Sequence, residues 1–371
     1  MAPERPRLLT LEAARFVAAL SVVLFHYTEV VVHFRNKLVF GDAFRAGHSG
    51  VPFFFVLSGF IIYHTHRTEI GSGAGAGRFL LKRFIRLFPA FWGVSLVMLA
   101  AFLLVPSLAE QRVLTPAGLA ADFLLLPHSD AVLAISWTLR HEIIFYLLFA
   151  LALWFGRPAF WLIGGWLAIS LLGAAANLDR DALGSWSVIG SSLNLGFGLG
   201  MIIAATMDRP AIISPKLAVA AGLGLYAALA GVEWRLGHGV PHEVVVLGMA
   251  GSIGYLLAAA ILIYGLVRYE TEQRPPVPSL FGSLGGASYL LYLIHQPLGS
   301  VALRALRPLR TVSPELAFVV LVSAAVALAL IVHLTLEQRL LRALTTWLAP
   351  RRRPAPAPAL AAGAAQDEAA G

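Results

Sequence analysis

Cysteine is missing altogether from the 371 residues. The chain therefore holds no disulfide, no thiolate metal ligand and no cysteine that could carry an acyl group. Charge is scarce too: Asp, Glu, Lys and Arg make up 13% of the sequence, against about 25% in an ordinary soluble domain. With 58% hydrophobic residues and a mean hydropathy of +0.77, the composition excludes a soluble globular protein. Short segments of alternating apolar and polar residues are lacking, which argues against a β-barrel. No repeat of about 20–50 residues stands out. The run GSGAGAG at 71–77 loosely matches a dinucleotide fingerprint, but no strand precedes it, so a flexible cytoplasmic linker is expected there.

Long apolar runs take the place of charge. Ten are distinguishable, at 11–31, 48–63, 87–105, 138–155, 159–176, 187–206, 217–234, 244–266, 281–303 and 315–336. Runs of about 20 residues are long enough to cross a hydrocarbon core of about 30 Å. A backbone in lipid must satisfy its own hydrogen bonds, so these runs predict helices. The expected fold is all-α: a polytopic transmembrane bundle of about ten helices, formed by residues 1–345. An Ala/Pro-rich disordered cytoplasmic tail is expected over 346–371. The first run follows Arg5 and Arg7 as in a signal peptide, but it is long and lacks a small-residue cleavage site, so it reads as a retained helix.

The net charge of +8 does not point to nucleic acid, because the basic residues cluster between the apolar runs. An even number of spans puts both termini on one side. With that side cytoplasmic, its loops carry nearly twice the Lys and Arg of the opposite loops, as the positive-inside rule requires.

Ionisable residues inside spans are costly and mark candidate sites. The first span carries Glu12, Arg15 and His26. Arg15 and His26 are eleven residues apart, close to three full turns, so they share a helix face about 16 Å apart along the axis. Glu12 is one turn below Arg15 and can pair with it. Ahead of the third span stand Lys82, Arg83 and Arg86. They anchor the cytoplasmic side and suit phosphate groups, which guanidinium forks bind well. The fourth span opens with Trp137 at the interface and Glu142 just inside. A zinc-protease helix is excluded at His141-Glu142, because Phe145 stands where the second histidine belongs. No metal site is expected. His295 lies in the ninth span, at a depth comparable with that of His26. Pro297 frees backbone carbonyls beside it. His64, His66 and His333 fall near cytoplasmic ends and read as interfacial, and Glu337 carries little weight.

Five segments in order resemble the motifs of the acyltransferase-3 family, membrane-bound O-acyltransferases of bacterial surface polysaccharides and related acceptors. They are Arg15 with His26, the run GVPFFFVLSGF at 50–60, Arg83-x-x-Arg86 followed by Leu87 and Pro89, the block from Ser136 to Glu142, and the block from Ser288 to His295. Phe91 departs from the tyrosine common there, and no proline follows Glu337 closely.

The resemblance implies transfer of an acyl group, acetyl in the first instance, from cytoplasmic acyl-CoA to a carbohydrate hydroxyl at or beyond a bacterial inner membrane. Acyl-CoA is then a donor substrate, with no permanently bound cofactor, and the partners are a glycan acceptor and membrane lipids. Arg15, Arg83 and Arg86 are expected to hold the CoA phosphates. His26 is expected to act as general base or acyl carrier, with Glu142 orienting it or binding the acceptor. Trp137, Tyr292 and His295 are expected to contact substrate. The rival reading is a multi-pass exporter of an acylated or glycosylated metabolite, since such proteins also keep Arg, His and Glu in the membrane.

Overall fold

The computed structural model describes residues 8–109, 114–127, 132–178, 184–306 and 308–348. Beyond Leu348 the expected tail lies outside the described residues. Among those described, the chain is helical and contains no strand. The helices are α1 (Leu9–Arg35), α2 (Gly50–His66), α3 (Ala74–Leu104), α4 (Pro116–Phe123), α5 (Ser136–Phe155), α6 (Phe160–Ala175), α7 (Ser187–Gly190), α8 (Leu195–Thr206), α9 (Pro215–Leu236), α10 (Gly248–Gln273), α11 (Leu280–Ala305), α12 (Pro308–Thr311), α13 (Pro314–Val332) and α14 (Gln338–Leu348). The chain is a polytopic helical bundle. Nine stretches among the described residues are long and apolar enough to cross a membrane. The one expected span not among them, the ninth, is α11, whose 26 residues give about 39 Å of helix. It is not one of the nine because its sequence is polar, with Ser283, Ser288, His295 and Gln296.

The most extensive helix pairings are α9 with α10, α2 with α8 and α1 with α11. Small residues make these close. A Cβ on Gly200 would meet the Val56 carbonyl oxygen, with the Phe60 nitrogen at 2.5 Å, and one on Gly59 would run into the backbone of Phe197. The obstacles are main-chain atoms and cannot swing aside. Gly200→Leu is therefore expected to separate α2 from α8, destabilising the fold by about 1–3 kcal/mol, the usual scale of overpacking. A lower midpoint of thermal unfolding in detergent is the readout; an unchanged midpoint would contradict the packing.

The start of α1 is capped from a distance. Glu270, near the end of α10, accepts hydrogen bonds from the backbone nitrogens of Leu9 (2.6 Å) and Thr10 (2.9 Å) and from the Thr10 hydroxyl. A carboxylate there satisfies orphan N–H groups and complements the helix dipole. At the other end of α1, buried Arg45 ties Asp42 (2.6 Å) to the carbonyls of Val240 (2.6 Å), Pro241 and Val244. This pins the α1–α2 connection to the α9–α10 connection.

Three local expectations are corrected. The 71–77 run is not a linker: α3 begins at Ala74, and the Gly71 and Gly73 nitrogens donate to the Ala152 and Leu153 carbonyls at 3.3 and 3.2 Å. Both glycines take positive φ, 78° and 66°, and Gly71 lies against Gly156, so the residues serve a tight turn on the end of α5. The span expected at 187–206 is broken. Between α7 and α8, Ser191 is extended (φ −68°, ψ 136°). Asn194 donates to the Val188 and Ile189 carbonyls (3.2 Å each), and the Ser170 hydroxyl donates to Ile189 (2.9 Å). These side chains satisfy carbonyls that the break leaves unpaired. Finally, α13 does not simply end. A wide π-type turn at His333–Glu337 links it to α14 and buries both His333 and Glu337.

Candidate active site

A cavity of about 950 Å³ enters the bundle at the end where α1 begins. Arg15 from α1, Arg83 and Arg86 from α3, Glu142 from α5 and Tyr292 from α11 all line it. Five of the eight residues expected at the site thus share one chamber. The volume is at the upper end of the range for ligand pockets, about 300–1,000 Å³.

Each guanidinium is held differently. Arg15 Nη1 pairs with Glu12 at 2.9 Å, as their one-turn spacing predicts. Arg86 reaches Glu337 at 3.3 Å, and Glu337 in turn bonds His333 Nδ1 at 2.6 Å. Buried charges survive in this way when paired. Both His333 and the cavity face of α14 were missed as site elements, because the π-type turn that carries them inward leaves no hydropathy signal. Arg342 of α14 adds a fourth arginine to the lining. Arg83 differs from the others. Its guanidinium lies over the rings of Phe79 (5.5 Å) and Tyr146 (5.8 Å). Among the described residues it has no carboxylate or hydrogen-bonding partner, and its Nε is buried unsatisfied. A cation positioned on aromatic faces with its donors open to a chamber is a ready anion site.

Glu142 does not face His26. Its carboxylate accepts from the Ser58 hydroxyl (3.1 Å) and from the Tyr146 hydroxyl. The reason is its position on α5, which points it at α2 across the cavity. The same bond gives the Ser58-Gly59 pair of the second motif its purpose: Ser58 holds Glu142, and Gly59 admits α8. At the inner end of the cavity the Tyr292 hydroxyl bonds Thr138 Oγ1 at 2.9 Å.

His26 lies beyond that end and does not line the cavity. Its Nδ1 is 2.5 Å from the carboxylate of Glu29, one turn along α1, with the Gln296 amide at 3.3 Å. A carboxylate can only accept, so Nδ1 carries the proton and Nε2 keeps its lone pair. The pair is partly exposed, 22% for the His26 side chain, so this end of α1 is reached from outside the cavity. Glu29 was missed, although its spacing of three from His26 is legible in the sequence. His295 is wholly buried, with its ring centroid 5.2 Å from that of His26 and 5.8 Å from that of Tyr292. Trp137 is not part of the cavity lining; it packs edge-on against His141 at 5.8 Å. His141 Nδ1 in turn donates to Asn194 Oδ1 at 2.8 Å.

The bundle and its chamber define an integral membrane protein with an arginine-lined cavity at one end of a helix and a carboxylate-held histidine at the other. A family model described as an acyltransferase domain matches residues 8–334. The chain belongs to this acyltransferase-3 family and is a membrane acyltransferase. It is 28% identical over 314 residues to the exopolysaccharide production protein ExoZ of Rhizobium meliloti (strain 1021), covering 81% of this chain and 92% of the relative. No solved structure matches it.

Proposed function

We propose that the protein transfers an acyl group, acetyl in the first instance, from acyl-CoA to a hydroxyl of an exopolysaccharide or its precursor. One observation carries this reading: α1 holds Arg15 in an arginine-lined cavity and His26, with Glu29, outside it. The two residues are separated by about 16 Å along the helix axis. An extended pantetheine arm is on the order of 15–20 Å, a comparable length. The phosphates would sit among Arg15, Arg83, Arg86 and Arg342, and the thioester would point toward Tyr292. His26 Nε2 would take the proton of the acceptor hydroxyl as it attacks. Glu29 fixes the tautomer that makes this possible. A thiolate leaves readily, so the main tasks are activating and aligning the hydroxyl.

The loop charge bias supports a cytoplasmic mouth for the cavity and cytoplasmic termini, in a bacterial inner membrane. Donor and acceptor would then be drawn from opposite faces. The similarity to ExoZ supports a polysaccharide acceptor.

The test is transfer from radiolabelled acetyl-CoA in membranes, comparing wild type with Arg15→Ala and competing with unlabelled succinyl-CoA. Label in the exopolysaccharide for wild type and much less for Arg15→Ala is the expected result. Label that never leaves CoA, from folded protein, would sink the proposal. Displacement of the label by succinyl-CoA at equal concentration would change the acyl group assigned.

A further inference from the structure

We propose that His295 is the acyl carrier: it takes the acyl group from the thioester in the arginine-lined cavity and presents it to the acceptor hydroxyl activated by His26. The inference rests on acyl-CoA being the donor.

Tyr292 and Thr138 are in the cavity lining and bond to each other, whereas His26 and His295 are not in it. His295 has its ring within 5.8 Å of Tyr292 and 5.2 Å of His26. Its tautomer is set by the backbone. Nδ1 lies 2.7 Å from the Tyr292 carbonyl and 3.2 Å from the Leu291 carbonyl. Carbonyls only accept, so Nδ1 bears the proton and Nε2 is the free imine nitrogen. That nitrogen is completely buried and, among the described residues, has no hydrogen-bond partner. An orphaned buried acceptor costs stability, and such atoms persist where chemistry needs them. The two imidazoles are therefore not equivalent. His26 has a carboxylate and partial exposure, which suit a base that exchanges protons with water. His295 has neither, and its lone pair in a dry site suits a nucleophile whose acyl adduct must be kept from hydrolysis.

The steps balance. Tyr292 turns away from Thr138, and His295 Nε2 attacks the thioester carbonyl carbon. The N–C bond forms, the C–S bond breaks, and CoA leaves as thiolate, taking a proton from water on the cavity side. The acyl-imidazolium is then attacked by the acceptor oxygen. Its proton passes to His26 Nε2, the C–N bond breaks, and the electron pair returns to His295 Nε2. His26 releases its proton to water on its own side.

The experiment incubates purified full-length protein with [14C]acetyl-CoA and no acceptor, then quenches it in denaturant and maps covalent label that neutral hydroxylamine releases. Wild type and His26→Ala are expected to be labelled on the α11 peptide, with label accumulating in His26→Ala. His295→Ala and His295→Gln are expected to take no label and to lose acyl transfer about a hundredfold or more, while still binding CoA. CoA binding reports folding and an intact cavity independently of transfer. Label that maps to α1, label that survives in His295→Gln, no label in His26→Ala, or wild-type transfer by His295→Gln would each overturn the inference alone. Wild-type protein that neither binds CoA nor transfers acyl groups would overturn the donor reading and this inference with it.

Discussion

Replacing His26 by alanine is expected to lower acyl transfer by about two to four orders of magnitude, the usual contribution of a positioned base, with donor binding unchanged. The separation of the two effects follows from geometry. His26 is outside the cavity that holds the arginines, so its loss leaves the donor site intact. Of its neighbours, Gln296 is not a base, and His295, whose ring is 5.2 Å away, carries the acyl group in the proposed scheme. Glu29→Ala is expected to cost less, about 10–100-fold, the scale on which orienting partners act. The check is a pair of measurements on each variant, the transfer rate at saturating donor and CoA affinity by calorimetry. Transfer by His26→Ala above about a tenth of wild type, well short of that range, would remove it from the chemistry.

The second large effect is expected at Arg83. Among the described residues it has neither a carboxylate nor a hydrogen-bonding partner, so its donors are free for the ligand. Hydrogen bonds to charged groups are worth about 1.5–3 kcal/mol, so Arg83→Ala should raise the donor KM by about 10- to 150-fold with kcat at saturation little changed. That pattern marks binding used equally in ground and transition state. Arg86→Ala is a poorer probe, because it also leaves Glu337 buried with only His333, which costs stability as well as affinity. A fall in kcat for Arg83→Ala at unchanged KM would place that arginine at the reacting atoms and not at the phosphates.

How far the sequence reads through to this site depends on the kind of signal. Charges within or just ahead of apolar runs stand out, which is why Arg15, Arg83, Arg86 and Glu142 were legible and prove to share one chamber. Local spacing makes Glu12 with Arg15 readable, and the same spacing makes Glu29 with His26 readable. Hydropathy is blind to the rest. Trp161 is 85% exposed and Trp166 is 6% exposed, on one helix whose only polar side chain, apart from the indoles, is Ser170. Lipid-facing and core-facing positions look alike when the solvent is hydrocarbon. For the same reason the break at Ser191 and the turn at His333–Glu337 left no trace: both sit in stretches whose average is that of a continuous span. The broken span also bears on the exporter reading. Its freed carbonyls are closed off by Asn194 and Ser170, whereas transporter half-helices leave such groups to their substrates and ions.

The capping of α1 by Glu270 sets an order of events during biogenesis. The contact joins positions 261 residues apart, and at about 5–20 residues per second the ribosome delivers the second partner roughly 13–50 seconds after the first. The most extensive partner of α1 is α11, which emerges later still. The helix that carries both Arg15 and His26 therefore enters the membrane first and is locked last. Until then Arg15 has no finished cavity around it and His26 has no His295 beside it, and a chain that stalls before α11 holds the first helix but not the machine.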